Sequence, residues 1–244
     1  MCHPPLARLM AASLLVAACA AQASDPPGAE YAIRWDPAEG GPSSAAQTFA
    51  KLEVTADKKG DYEVGYRRPS APPPGLPEGF APIVRERWKT GPNKKEYELT
   101  YKQRGPSPSP ATPTLDQWPC PVGKTKDRKD EVDVSFRSLN DAARAYSRSC
   151  TVESKTAPPP VPAALKAPPA KCTSTMTRLK RGELTVEEWH LRSGRTLIEV
   201  SRSGAATDQD FASFQADVAR KLIETHGIKP LQASMTELAS ACGT

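Results

Sequence analysis

Two short segments hold the residues best suited to bind an anion. In Ile83–Lys89, alternation sets Arg85, Arg87 and Lys89 on one side; in Tyr97–Arg104 it sets Glu98, Thr100, Lys102 and Arg104 against Tyr97, Leu99 and Tyr101. Like charges on consecutive strands repel unless an anion joins them. Acids are sorted elsewhere: Glu131 and Asp133 alternate with Val132, Val134 and Phe136, and Glu199 lies in Thr196–Arg202. A sheet curled with its charged face inward would offer a basic half to phosphate oxygens and an acidic half to a divalent cation. Phosphoryl chemistry needs that division of labour. The competing reading is a solvated face, because antiparallel sheets commonly bury one side only. The residues alone leave both readings open.

Such residues need strands to position them, and the same alternation supplies about eight. Beyond the segments above these are Ala29–Trp35, Asp61–Arg67, Thr175–Lys180, Leu184–Leu191 and Thr196–Arg202. Arg181-Gly182 and Ser193-Gly194 would turn the last three into a hairpin series. Three Pro-rich loops punctuate the chain: Pro69–Pro82, Gly105–Pro113 and Ala157–Pro169. After Arg202 the period changes. Thr207 with Asp210 starts a helix, Phe211, Phe214, Val218 and Leu222 share one face of it, and Gly227 with Pro230 ends it. Shorter helices are expected over Pro42–Leu52 and Leu231–Ala241. The fold class is α+β, predominantly β, with helices at the C-terminus.

Composition sets the outer limits. The chain has 244 residues, 33 basic and 28 acidic, for a net charge of +5, and 38% are hydrophobic. That apolar share supports a folded core. The 26 prolines belong in loops. Beyond the N-terminus no apolar run nears the ~18 residues of a membrane span. Leu9–Ala18 reads as the core of a secretory signal, either a 1–23 peptide ending in Ala21-Gln22-Ala23 or a lipoprotein signal 1–18 with lipidation at Cys19. Residues 24–244 then form a single exported domain of the periplasm or cell envelope, with a membrane link only through such an anchor. Cys120, Cys150, Cys172 and Cys242 remain in an oxidising compartment. Two disulfides are expected, with Cys150–Cys172 closing the third Pro-rich loop and Cys120–Cys242 as the other pair. Zinc would require a close Cys pair, which the spacing lacks. Nucleic acid is disfavoured as a partner, since export removes it and the basic residues read as inward-facing. No protein partner is identified.

The ordered segments resemble the CYTH family, the triphosphate tunnel metalloenzymes, from Glu30 to about Ser240. Ile83-Val84-Arg85-Glu86-Arg87 is similar to the family's R-x-R strand and Tyr97-Glu98-Leu99-Thr100-Tyr101-Lys102 to its y-x-L-T-x-K strand. Glu131 and Asp133 match its acidic pair, Arg178 a later basic strand, and Ile198-Glu199-Val200 the strand before its long helix. The resemblance implies an eight-stranded antiparallel tunnel. Arg34, Arg85, Arg87, Lys102 and Arg178 would bind a triphosphate- or polyphosphate-like anion, and Glu30, Glu131 and Glu199 would hold Mg²⁺ or Mn²⁺. The family's E-x-E-x-K appears here as Glu30-Tyr31-Ala32-Ile33-Arg34. Ala32 cannot bind a metal, so anion binding with weakened metal-dependent triphosphatase activity is implied. The alternative is a non-enzymatic envelope protein that uses its barrel as a scaffold for protein contacts.

Other motifs weigh little. Gly123-Lys124-Thr125 lacks the earlier glycine of a P-loop. Lys124–Asp130 reads as a solvated loop. His190 and His226 have no catalytic context, and Trp35, Trp88 and Trp189 are expected in the core.

Overall fold

Alternating sequence becomes nine strands hydrogen-bonded around a closed ring. The computed structural model describes residues 27–73, 76, 78–91, 96–106, 120 and 123–242; the leader, Cys19 and residues 107–113 of the second Pro-rich loop lie outside them. The strands are β1 (Gly28–Trp35), β2 (Lys58–Arg67), β3 (Ala81–Lys89), β4 (Tyr97–Gly105), β5 (Lys124–Phe136), β6 (Ala142–Ser154), β7 (Thr173–Arg181), β8 (Leu184–His190) and β9 (Thr196–Ala205). Around the barrel they run β1-β5-β6-β4-β3-β2-β7-β8-β9, with β9 closing onto β1.

Two expectations need correction. The described residues form nine strands, not eight, because Ala142–Ser154 is a strand that the alternation did not flag. The barrel is also mixed: β1 runs parallel to β5, Glu30 opposite Asp133, while the other pairs are antiparallel. The charged run Lys124–Asp130 is the first half of β5, held by its ladder to β6 rather than by burial.

The outer wall is apolar and covered. Tyr31, Ile33 and Trp35 of β1, Val132, Val134 and Phe136 of β5, and Ile198 and Val200 of β9 form one cluster. Helix α1 (Ala45–Lys51) and helix α2 (Asp208–Phe214), which continues through π-type turns to Thr225, lie on it through Phe49, Phe214, Val218 and Leu222. Thr207 caps α2 by accepting the Asp210 N–H at 3.2 Å, as the sequence suggested. A second cluster, Val84, Leu99, Tyr101, Cys150 and Val152, lies under the third Pro-rich loop through Leu165 and Val161. Trp35 and Trp189 are buried, but Trp88 sits half-buried on the outer face.

Inside, one end of the barrel is plugged. Helix α3 (Met235–Ser240) opens on a capping box between Ser234 and Glu237. It packs Met235 and Ala239 against Val64, Met176, Trp189 and Leu197. Two disulfides form, with pairings that differ from the expected ones: Cys120–Cys150 and Cys172–Cys242. The reason is topological. Cys150 lies on β6 and Cys172 precedes β7, and β4, β3 and β2 stand between those strands in the ring. The Pro-rich loop therefore crosses the outside of the barrel instead of turning back on itself. Among the described residues no helix is long and apolar enough to cross a membrane.

Candidate functional site

The period of two that buries Leu99 and Tyr101 outside turns Glu98, Thr100, Lys102 and Arg104 inside. The same rule brings Arg85 and Arg87 in from β3, Glu131 from β5, Arg178 from β7, Glu187 from β8 and Glu199 from β9. They line a cavity of about 420 Å³ together with Glu30 and Arg34 of β1. All eight residues proposed for anion or metal thus share one space.

Most interior cations have a carboxylate of their own. Arg34 contacts Glu199, Arg87 contacts Glu98, and Arg178 donates to Glu187 at 2.8 and 2.9 Å. Lys102 donates to Asp133 at 3.0 Å and to Glu131 at 3.5 Å, and Arg104 to Asp133 at 2.7 Å. Lys102 and Arg104 reach those acids across β6, whose inner face there carries only Ser147 and Ser149. The Tyr62 ring lies 4.9 Å from the Arg87 guanidinium and 5.2 Å from that of Arg178. Tyr62 also covers Gly60, where an added Cβ would stand 2.7 Å from the ring.

Arg85 differs. It donates to Thr100 Oγ1 at 3.4 Å, its buried Nε has no hydrogen-bond partner, and it makes no ion pair among the described residues. It also disturbs its neighbours. Burial, then the charges of Arg178 and Arg85, push Arg87 down to about 10 despite Glu98. Burial works against ionised Glu98 as well, but Arg87 and Lys126 outweigh it and hold the carboxyl down to about 2. The two partners shift unequally because Arg87 also faces two other guanidiniums whereas Glu98 also gains Lys126. Burial, reinforced by Glu187 and Glu30, raises Glu199 to about 7 in spite of Arg34.

The acids cluster differently from expectation. Carboxylate oxygens of Glu30, Glu131 and Asp133 lie within 4.8 Å of one another, whereas Glu199 is turned to Arg34. Three carboxylates are hard donors of the type Mg²⁺ and Mn²⁺ prefer. The Glu30 carboxylate makes no hydrogen bond or ion pair among the described residues, so the donor set fits such an ion, although Lys102 pairs with the other two members. Burial raises Glu131, with Lys102 opposing and Glu30 and Asp133 adding to the rise. Ala32, between Glu30 and Arg34, is buried and offers no ligand atom. Sequence reasoning missed the roles of Ser147, Ser149 and Thr151; small residues alternating through Ala143–Thr151 were the available signal.

No protein-family model matches the chain, and neither does any curated protein. Among solved structures it is similar to the PH1012 protein of Pyrococcus horikoshii OT3, with 12% identity, a TM-score of 0.45, and coverage of 86% of this chain and 98% of that one. The PH1819 protein of the same organism gives 14% identity, a TM-score of 0.44, and coverage of 86% and 97%. A candidate adenylate cyclase from Vibrio parahaemolyticus gives 9%, 0.43, and coverage of 89% and 100%. Likenesses this distant speak neither to ligand nor to activity.

Proposed function

We propose that this chain binds a triphosphate- or polyphosphate-like anion inside the barrel, as the CYTH resemblance of its sequence implies, with metal-dependent hydrolysis weakened. Arg85 carries the reading. A half-buried guanidinium with a buried, unpartnered Nε and no ion pair is costly, so a cavity that holds one in the free protein gains most when an anion arrives. Arg87, Lys102, Arg34 and Arg178 supply further donors once their carboxylates yield. Glu30, Glu131 and Asp133 are the residues that would hold Mg²⁺ or Mn²⁺, which supplies charge neutralisation of phosphate oxygens. Ala32 leaves that set short.

Calorimetric titration with inorganic tripolyphosphate at low salt tests the proposal. Wild type binds, and Arg85→Ala binds roughly tenfold to a hundredfold more weakly, the scale of hydrogen bonds to a charged group. Its unliganded melting temperature stays level or rises, because an unpaired buried charge is gone. Ala32→Glu raises phosphate release with Mg²⁺ or Mn²⁺. No binding by wild type would end the proposal.

One observation favours the second reading, a structural barrel without a ligand: apart from Arg85, the interior arginines already have internal counter-ions. Tripolyphosphate then leaves the melting temperature unchanged. The third Pro-rich loop serves this reading poorly as a free contact segment, since Pro159 and Leu165 are buried against the wall. For location, two disulfides indicate an oxidising compartment. Export to the periplasm, with or without lipid at Cys19, completes the proposal; Arg in place of Leu14 and Leu15 blocks it.

A further inference from the structure

We infer a second ligand site at the α3 end of the barrel, for an organic anion with an acid head and an apolar body, the chemistry of a medium-chain carboxylate. An adjoining cavity of about 490 Å³ opens there, sharing Tyr66, Ile83, Arg104, Ser234 and Thr236 with the main one, within the ~300–1,000 Å³ range of small-molecule sites. One wall is small and apolar, made of Ala81, Pro82 and Ile83 of β3 and Ala143 and Ala145 of β6, and it faces polar groups that include Arg104, Asp133, Gln232 and Thr236. On β5 and β6 the register sets Ala145 opposite Asp133 and Ala143 opposite Ser135, so the two alanines continue the inner face on which Ser147 and Ser149 sit. The charged interior ends, and an apolar vestibule begins.

The rim carries the charge. Arg68 donates to Ser240 Oγ at 2.8 Å, and neither Arg68 nor Arg137 makes an ion pair among the described residues. The nearest acid of α3, Glu237, is engaged in its own capping box, where it accepts from the Ser234 N–H at 2.7 Å. Asp133 is held by Lys102 and Arg104. This is the reverse of the main cavity, where every arginine but Arg85 has a carboxylate. Uncompensated cations around an apolar pocket complement one negative head on a hydrocarbon body. A polyphosphate would leave the apolar wall of Ala81, Pro82, Ile83, Ala143 and Ala145 unused, and a neutral lipid would leave the arginines unused.

Titration with dodecanoate, with dodecanol and acetate as controls, decides it. Dodecanoate binds and raises the melting temperature, while the two controls do neither. The exposed double variant Arg68→Ala/Arg137→Ala weakens dodecanoate roughly tenfold or more, the scale of lost charge-assisted hydrogen bonds. Ala145→Trp fills the vestibule and abolishes binding. Both variants keep the wild-type response to tripolyphosphate, so this site and the main cavity succeed or fail separately. No dodecanoate binding by folded wild type, equal binding of dodecanol, or binding unchanged in the arginine variant overturns the inference.

Discussion

The two faces of the barrel wall are built on opposite principles. Outside, Phe136, Phe214 and Tyr31 stack with centroids 5.3 to 5.9 Å apart, and Leu222 and Val218 extend the layer; any residue of similar shape would serve. Inside, the charged sector is held by named pairs: Arg34 with Glu199, Arg87 with Glu98, Arg178 with Glu187 and Arg104 with Asp133, with Arg85 left out. Burying apolar area stabilises without direction, whereas taking charges out of water costs several kcal/mol per ion and is repaid only by exact partners. The comparison teaches that the outer wall is held by apolar area and the inner wall by the geometry of particular charge pairs.

That contrast can be broken at graded strength. The largest effect belongs to the outer wall: Phe214→Ala costs about 3–5 kcal/mol, read as a lower denaturant midpoint, since it leaves a cavity between Tyr31 and Phe136. Next comes the clamp on the plug. Cys172→Ser with Cys242→Ser costs about 4 kcal/mol, the entropy of freeing a loop spanning 70 positions. The inner wall answers through pH. Because the Glu98 carboxyl is held down to about 2, its contribution is complete above the ordinary carboxylate range and is lost as pH falls from there towards 2. Glu98→Gln removes that part of the acid slope, on the order of 3 kcal/mol. Glu199 runs the other way. Raised to about 7, it makes stability fall as pH climbs from the carboxylate range to neutrality, and Glu199→Gln flattens that segment of the melting curve series. The smallest effect lies in solvent: Arg181→Ala, which loses the exposed pair to Asp57 at 3.6 Å, costs at most about 1 kcal/mol.

The sequence was legible where the two faces differ in polarity. In Tyr97–Lys102 of β4 and Glu131–Phe136 of β5 every second residue is apolar, so both the strand and its inward face could be read, and Glu98, Lys102, Glu131 and Asp133 fell on the correct side. In β6 that contrast vanishes: Ala, Ser and Thr face inward while Arg144, Tyr146 and Arg148 face out. The strand could not be seen, and with it went the ninth position in the ring. Lys124–Asp130 failed for a related reason, since a ladder exposed to water needs no apolar face. The parallel pairing of β1 with β5 and the partners of Cys150 and Cys172 depend on strands distant in sequence, which local periodicity does not encode. The sorting of bases and acids was visible, but their cross-pairing was not. It rests on register and on the short serines of β6 over which Lys102 reaches.

The bond between Cys172 and Cys242 turns the last third of the chain into a lasso. The segment it encloses holds β7, β8, β9, α2 and α3, which is to say a third of the barrel, most of its outer cover and its plug. A protease that nicks any turn inside that noose, such as the one at Gly194, cannot release a fragment; the pieces travel together until a reductant arrives. Wherever thiols are scarce enough for this disulfide to persist, damage to this region would be survivable and, on a non-reducing gel, invisible.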